Sequence, residues 1–249
     1  MCRIVNVFFE VHSGLPREGP GDNESTKKAY LMLHSLPEKP RILDVGCGPG
    51  MQTMELAKLS NGRVDAVDNY QPYLEDLKKK AEKEGVSDRI KIVNGNMSAL
   101  LYPNNSFDLV WSEGATYIIG FEKGLREWKK LLKPKGYIGV SELSCLKPDP
   151  PEEVRDFFRE GYPQIKTIDE NLGIARKSGY AIVGYFAISE KSWWTNYYTP
   201  IEAKIAGMKT KYKDDKEAMQ ILAVEELEIE MFRKYSDYYG YVFYLMQRE

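Results

Sequence analysis

Short apolar runs alternate with helix-like patterns from Arg41 onward. Five runs are rich in β-branched and aliphatic residues, as is typical of buried strands: 41–47, 63–68, 90–93, 107–111 and 137–142. Between the runs, apolar residues recur every three or four positions, which is typical of helices with one buried face. Strands that alternate with helices in this way predict a parallel sheet covered by helices on both faces.

The connection between the fourth and fifth runs illustrates the helical pattern. Four apolar residues recur there at helical spacing: Phe121, Leu125, Trp128 and Leu132. Residues 133–136, Lys-Pro-Lys-Gly, then predict a turn into the fifth strand.

After Leu146 the pattern is less regular. Helices are predicted over 151–160 and 169–178, and a sixth strand over 180–188. Residues 209–239 contain neither Gly nor Pro, which predicts one long helix or two helices separated at Asp214–Asp215. A last strand is predicted over 241–247.

The apolar run at residues 4–11 is interrupted by Asn6 and Glu10. It is too short for a membrane span or for the apolar core of a signal peptide. We therefore expect this segment to pack on the body of a cytoplasmic protein that has no membrane partner.

The composition narrows the chemistry. Apolar residues make up 43% of the 249 positions and aromatic residues 12%, which is enough for a large core. Three cysteines and two histidines show no metal-ligand spacing, so neither a disulfide framework nor a metal site is expected. The net charge is −2 without a basic stripe, which favours a small-molecule partner over nucleic acid.

The stretch RILDVGCGPGMQT, residues 41–53, carries the strongest motif. A strand that ends near Asp44 is followed by Gly46, Gly48 and Gly50, and a helix pattern begins directly after them. Glycine lets the backbone approach a ligand closely and adopt unusual dihedrals, so the motif predicts a turn that binds a nucleotide cofactor. A tight turn without a ligand is the plain alternative. A nicotinamide-binding turn would need its third glycine at position 51, where this chain has Met51.

The glycine motif resembles motif I of the class I methyltransferases that depend on S-adenosylmethionine (SAM), in which the turn lies near the amino-acid end of SAM. The resemblance continues at Asp68, which would accept hydrogen bonds from the ribose hydroxyls, and at Asn96, where the family usually has Asp facing adenine. Residues 107–114 and 131–137 resemble the family's fourth strand and the turn before its fifth. Together the motifs look like the ubiquinone/menaquinone-biosynthesis type of domain. Residues 111–115, 119–121 and 127–128 are similar to a smaller prokaryotic group with largely unassigned substrates.

The resemblance implies an α/β fold with a doubly wound, seven-stranded Rossmann-like sheet whose last strand is antiparallel. It adds an N-terminal helical lid and a helical insertion before the last strand. We expect one methyltransferase domain over 1–249, divided into a lid and helix (1–40), a cofactor-binding half (41–145) and a C-terminal half (146–249) with the insertion at about 190–239. The loop 17–23 would form the lid over SAM, or else only a flexible region that caps the next helix.

The resemblance also places the candidate site residues. Those expected to bind SAM are Asp44, Gly46, Cys47, Gly48, Gly50, Gln52, Asp68, Asn69, Asn96, Met97, Ser112 and Glu113. Glu113 or Tyr117 is the candidate general base if the acceptor must lose a proton, although Glu113 could instead hold the SAM ammonium. Candidates for the acceptor pocket are Tyr117, Trp193, Trp194 and Tyr197. The alternative for the last three is that they anchor the inserted helices on the domain.

The predicted activity is transfer of a methyl group from SAM to a small molecule by in-line displacement. Alignment of the reacting atoms can supply much of the catalysis, roughly 7 to 11 kcal/mol. The alternatives are an NAD(P)-dependent oxidoreductase and a non-catalytic SAM-binding protein. The methylated atom (O, N, S or C) and the oligomeric state stay open, with a homodimer as one alternative.

Overall fold

The computed structural model of the protein describes residues 3–249, and for residues 3–6 the backbone only. The strands are β1 (Arg41–Val45), β2 (Arg63–Asp68), β3 (Ile90–Asn94), β4 (Phe107–Glu113), β5 (Leu132–Cys145), β6 (Lys166–Thr167), β7 (Tyr180–Ala187) and β8 (Tyr239–Arg248). The helices are α1 (Arg3–His12), α2 (Asn23–Leu31), α3 (Met51–Ser60), α4 (Gln71–Lys83), α5 (Phe121–Lys129), α6 (Glu152–Gly161), α7 (Ile168–Lys177), α8 (Glu190–Trp193), α9 (Thr199–Lys211) and α10 (Lys216–Tyr235). Short 3₁₀ turns at Ser87–Arg89 and Thr116–Ile118 and a π-helical turn at Trp194–Tyr198 complete the list.

The strands form one sheet in the order β3-β2-β1-β4-β5-β8-β7. The pairs from β3 to β5 are parallel, whereas β8 is antiparallel to both β5 and β7. The two-residue β6 pairs only with the end of β5. The predicted fold class is therefore confirmed, including the antiparallel last strand.

Both faces of the central strands are buried, which explains why their sequences read as continuous apolar runs. In β1, Ile42 and Leu43 are both fully buried, yet they belong to two different core clusters. Successive strand residues point to opposite faces, so each belongs to the helix layer on its own side. One layer packs α5 and α7 on the sheet, with Leu125 and Leu172 in the contact, and the other packs α2 and α3, with Ala29 and Leu56.

A third apolar cluster lies beyond the carboxyl ends of the strands. It joins α1, through Val7 and Val11, to the helices α8 to α10 that are inserted between β7 and β8. The N-terminal apolar run thus packs on the body of the protein, as expected. Within residues 3–249, no helix combines the length and the apolar character that crossing a membrane requires.

One local prediction differs from the structure, and another is decided between its two alternatives. Leu132 does not continue α5 but begins β5, because the chain leaves the helix after Lys129 and Lys135 adopts a left-handed backbone angle (φ +60°) inside the strand. The glycine-free stretch forms two helices separated at residues 212–215, in agreement with the predicted break at Asp214–Asp215, although α9 already begins at Thr199, ahead of that stretch. The side chain of Asp215 accepts a hydrogen bond from the Ala218 N–H at 3.2 Å, which caps the start of α10 and fixes the break.

Candidate functional site

The glycine turn joins β1 to α3 at the carboxyl ends of the parallel strands. The N–H groups of Gly46 and Cys47 donate to the Val67 carbonyl oxygen at 2.9 and 3.0 Å, which ties the turn to β2. Gly46 has φ +72°, and a Cβ there would lie 2.5 Å from the Cβ of Ala115. Glycine is therefore required at this position by both the backbone angle and the close approach of the chain.

The other two glycines of the motif have different surroundings. A Cβ on Gly50 would lie 2.2 Å from Cδ1 of Leu77, so Gly50 allows α4 to pack against the start of α3. A Cβ on Gly48 would meet only Cγ of Glu18, at 3.6 Å, and the Gly48 N–H donates to Oδ2 of Asp68 at 2.9 Å. Of these two, Gly48 is the one whose backbone is open to a ligand.

A cavity of about 480 Å³ lies above this turn, and we call it the glycine cavity. Ten of the predicted site residues line it: Gly46, Cys47, Gly48, Gln52, Asp68, Asn69, Asn96, Met97, Glu113 and Tyr117. Three of the predicted SAM-binding residues do not line it: Asp44, Gly50 and Ser112. The motifs at the ends of β1 to β4 therefore converge on one space, as parallel strands require.

Asp68 lies at the end of β2 and keeps a free bonding capacity. Its Oδ2 accepts from the Gly48 N–H and its Oδ1 from the Tyr70 N–H, each at 2.9 Å. Because each carboxylate oxygen can accept two hydrogen bonds, both oxygens can still accept from a ligand diol. Asn96 is exposed and also lines the cavity, and its Oδ1 accepts from the Ser98 N–H at 2.8 Å.

Asp44 and Ser112 support the turn from below. Asp44 is fully buried and accepts from the Thr53 hydroxyl at 2.6 Å, and this burial raises its pKa to about 7. The Ser112 hydroxyl donates to the Val45 carbonyl oxygen at 2.8 Å. Direct contact of these two side chains with a cofactor remains a prediction, which their placement does not favour.

Glu113 already accepts from three donors. Its Oε1 accepts from Trp111 Nε1 and from the Thr26 hydroxyl, both at 2.7 Å, and its Oε2 pairs with Nη2 of Arg17 at 2.6 Å. Both partners of the Arg17–Glu113 ion pair are buried. These contacts give Glu113 the role of anchoring the N-terminal segment on β4. Its predicted role as a general base is untested, and an acceptor with three donors in place is poorly suited to it.

The N-terminal segment contributes a carboxylate that the motifs did not single out. Glu18 lies over Gly48, and its Oε2 accepts from the Tyr73 hydroxyl at 2.6 Å. Its Oε1 is buried and has no hydrogen-bond partner among the described residues. Burial raises the pKa of Glu18 to about 7. In the sequence, Glu18 is indicated only by its place in the loop 17–23, because it belongs to no motif of its own.

A second cavity of about 250 Å³ adjoins the first, and we call it the aromatic cavity. Nine of its lining residues are aromatic: Tyr117, Phe157, Phe158, Tyr162, Trp193, Tyr197, Tyr198, Tyr239 and Tyr241. Four residues line both cavities: Glu18, Gly19, Gly114 and Tyr117. The two spaces therefore meet at the end of β4.

The predicted aromatic residues divide between two environments. Trp193 and Tyr197 line the aromatic cavity, and Trp193 also stacks on Phe232 with ring centroids 4.0 Å apart, so it anchors the insertion as well. Trp194 lines neither cavity, because it bonds to Glu190 and lies against the Arg233 guanidinium. Its predicted contact with the acceptor is not supported by this placement.

Polar groups in the aromatic cavity come from α10 and β8. Oε1 of Glu228 accepts from the Tyr198 hydroxyl at 2.9 Å. The hydroxyl of Tyr239 is buried and has no partner among the described residues.

Burial raises the pKa of Tyr117, so the phenolate that a base would need is disfavoured. Sequence reasoning missed Glu228 and Tyr239, since they belong to elements far apart in the chain.

Comparison with known proteins agrees with this architecture. The family model described as "Methyltransferase domain" matches residues 42–136. A sterol 24-C-methyltransferase of Gibberella zeae is 28% identical over 172 residues, which cover 65% of this chain and 45% of that protein. The chain thus spans less than half the length of this curated relative.

Two solved structures align over the whole chain. A SAM-dependent methyltransferase from Geobacter sulfurreducens has a TM-score of 0.82, and one from Thiobacillus denitrificans a TM-score of 0.83; both are complexes with S-adenosyl-L-homocysteine. Each is 21% identical and covers 100% of this chain and 99% of its own. Residues 42–136 accordingly resemble a methyltransferase domain, and the whole chain shares the fold of these two structures.

Proposed function

We propose that the protein is a SAM-dependent methyltransferase that binds SAM in the glycine cavity and a small-molecule acceptor in the aromatic cavity. The observation that carries this proposal is the junction of the two cavities at Glu18, Gly19, Gly114 and Tyr117. A methyl donor in one cavity and an acceptor in the other would meet at this point. Such a meeting is what an in-line displacement requires.

The residues of the glycine cavity fit SAM. The open backbone of Gly48 gives room for the amino-acid end of the cofactor, and the buried, unpaired Oε1 of Glu18 lies beside it. An ammonium group would satisfy that oxygen with a charge-assisted hydrogen bond. Glu18 thus takes the ammonium-binding role that the sequence offered to Glu113, whose oxygens already have three donors.

The ribose and the adenine belong at the ends of β2 and β3. Asp68 can accept from two vicinal hydroxyls, and Asn96 can accept from an exocyclic amine through its amide oxygen. Asn69 and Met97 line the same wall. Bound SAM would supply an electrophilic methyl group, and the chain's task is to align it with the acceptor and exclude water.

The aromatic cavity limits the acceptor. Its volume of about 250 Å³ lies below the ~300–1,000 Å³ typical of sites for drug-sized ligands. The acceptor is therefore a small molecule in this proposal. Membership of the ubiquinone/menaquinone type, the division into the domain halves 1–40, 41–145 and 146–249, a cytoplasmic location and a homodimer stay predictions.

The test is a calorimetric titration with S-adenosylhomocysteine (SAH), followed by an assay of SAH release from SAM with panels of amines, phenols, thiols and carboxylates. We expect one SAH per chain and SAH release with one of the panels. NADH serves as the control for the oxidoreductase alternative. Binding of NADH without binding of SAH would overturn the proposal, whereas SAH binding without turnover would favour the non-catalytic alternative.

A further inference from the structure

The aromatic cavity has an unusual charge pattern. Among the described residues that line it are nine aromatic side chains and two carboxylates, Glu18 and Glu228, but no Lys, Arg or His. Glu225, next to Glu228 on α10, adds a further carboxylate close by, and burial together with Glu225 raises the pKa of Glu228. His12 does not line the cavity, but its ring nitrogens lie 3.8 Å from Oε2 of Glu18 and 3.4 Å from Oε1 of Glu225.

These groups suit a positively charged ligand. Aromatic faces attract cations, and the attraction grows when both are removed from water. A neutral, apolar ligand would instead leave the carboxylate of Glu228 desolvated, with the hydrogen bond from Tyr198 as partial compensation. The unpaired hydroxyl of Tyr239, whose residue is only 3% exposed, adds an acceptor for an N–H group.

We propose that the methyl acceptor is a small amine, which enters the aromatic cavity as its ammonium and is held there by Glu228, Tyr239 and the surrounding rings. The reaction in this inference rests on the proposed methyl transfer. The preference for a positively charged ligand rests on the residues of the aromatic cavity alone. Tyr117 and Gly114, at the junction of the cavities, place the amine nitrogen next to the methyl donor.

The chemistry balances without a further reactant. The bound ammonium gives one proton to the Glu228 carboxylate and becomes a nucleophilic amine. The amine's lone pair then forms the N–C bond while the S–C bond of the sulfonium breaks, and the S–C electron pair stays on sulfur. The products are a neutral thioether and a methylated ammonium, so the positive charge moves from sulfur to nitrogen. The proton on Glu228 is released to solvent when the product leaves.

The raised pKa of Glu228 agrees with this proton transfer, since a desolvated carboxylate accepts a proton more readily. The groups that face it are Glu225, Tyr198 and His12, together with the phenols of the cavity. A methylated product keeps its charge and contacts the same rings, so further methylation of the same nitrogen is compatible with the cavity.

The direct test compares two probes of the same shape in calorimetric titrations of the SAH-saturated protein. Choline carries a quaternary ammonium, and 3,3-dimethyl-1-butanol replaces its nitrogen by carbon and has no charge. We expect choline to bind at least ~10-fold more tightly. Equal binding of the two probes, or binding of neither, would overturn the inference.

Variants locate the effect within the cavity. Glu228→Gln should remove most of the preference for choline, whereas Tyr239→Phe should leave that preference largely intact, because a quaternary ammonium has no N–H for the Tyr239 hydroxyl to accept. Glu230→Gln is the matched control, because Glu230 is exposed on the same helix and pairs with Arg233. If Glu228→Gln folds and still prefers choline as the wild type does, the assignment to this cavity is wrong.

The acceptor panel separates this inference from the proposed function. Methylation of a phenol or thiol, with no preference for choline, would remove the amine assignment and leave the methyltransferase standing. Failure of SAH to bind would remove the proposed function instead. The same two probes, titrated without SAH, would then still decide the charge preference of the cavity.

Discussion

The two cavities are built from different materials. The glycine cavity combines main-chain groups and polar side chains at the ends of β1 to β4 with rings from α1 and α4, such as Phe9 and Tyr73. The aromatic cavity has bulky rings from α6, the π-helical turn, α10 and β8. Main-chain groups do not change when residues are substituted, so they suit a ligand whose shape is always the same. Side chains that line a cavity can be substituted without changing the sheet. The difference indicates a fixed cofactor site beside an adaptable acceptor site.

The N-terminal segment borders both cavities through Glu18 and Gly19, and its anchor should show the largest effect. Arg17→Met would leave Glu113 buried without a cation, which typically costs about 3–5 kcal/mol of folding stability. We expect a lowered midpoint in urea unfolding and weaker binding in both cavities, because Glu18 and Gly19 lose their support.

A double variant shows whether the ion pair itself is responsible. Arg17→Met with Glu113→Gln removes both charges, so it should recover part of the lost stability. Additive losses in the two single variants would contradict a coupling between Arg17 and Glu113. Unchanged SAH and choline binding in a folded Arg17→Met protein would show that the segment does not shape the cavities.

Asp68→Ala should separate the two cavities. Loss of two charge-assisted hydrogen bonds to the ribose should weaken SAH binding roughly 100-fold. Each hydrogen bond to a charged group contributes about 1.5–3 kcal/mol, and water compensates for part of the loss. Calorimetry measures the change, and choline binding should stay within about two-fold. Asp88→Ala, at an exposed carboxylate in the turn before β3, is the control. Full SAH affinity in Asp68→Ala would remove the ribose assignment.

The sequence was sufficient for the sheet and for the glycine cavity, because both depend on local signals. Strand runs, glycines at fixed spacing and acidic strand ends all lie within a few residues of each other, and their convergence follows from parallel topology. The boundary of α5 was predicted wrongly at Leu132, where an apolar residue fits a helix face and a strand equally well.

The aromatic cavity was not predictable in the same way. Trp193 and Tyr197 stand out as a local cluster, but Glu228, Tyr239 and Phe158 come from three other elements and carry no motif. Their proximity arises from the packing of α6 and α10 against β8, a tertiary effect that one sequence does not reveal. Glu18 was missed for the same reason, since its position over Gly48 depends on the Arg17–Glu113 pair.

Glu18 should make the binding of SAH in the glycine cavity depend on pH. Its carboxyl has a pKa of about 7 before a ligand binds, and only the ionised form can pair with an ammonium. SAH affinity should therefore fall about ten-fold from pH 8 to pH 6. The titratable groups that face Glu18 are His12, Tyr73, Lys80 and Lys204.

Glu18→Gln isolates this contribution from those of its neighbours. We expect the variant to bind SAH more weakly at pH 8, nearly as well as the wild type at pH 6, and with a flatter profile between them. Calorimetry at both pH values in one buffer system measures it. An equally steep profile in the variant would assign the pH dependence to another group and leave Glu18 without a role in ammonium binding.

The smallest expected effect concerns stability without a ligand. Glu18, Asp44 and Glu142 each have a folded-state pKa of about 7, raised by burial from an ordinary value of about 4. An acid with a raised folded pKa contributes full stability below its unfolded pKa and loses it as the pH rises through the folded value. The ligand-free protein should therefore melt at least ~3 °C lower at pH 8 than at pH 5.5.

Glu142 lies outside the glycine cavity, so its variant shows how much of the pH-dependent loss of stability comes from outside the cofactor site. Its Oε1 accepts from the Tyr162 hydroxyl at 2.6 Å, and glutamine can keep this hydrogen bond without a charge. Glu142→Gln should thus flatten the decline of melting temperature between pH 5.5 and pH 8, while SAH should raise the melting temperature more at pH 8, where Glu18 is ionised. If Glu142→Gln melts with the wild-type slope while Glu18→Gln does not, the buried charge that limits stability is confined to the cofactor side of the molecule.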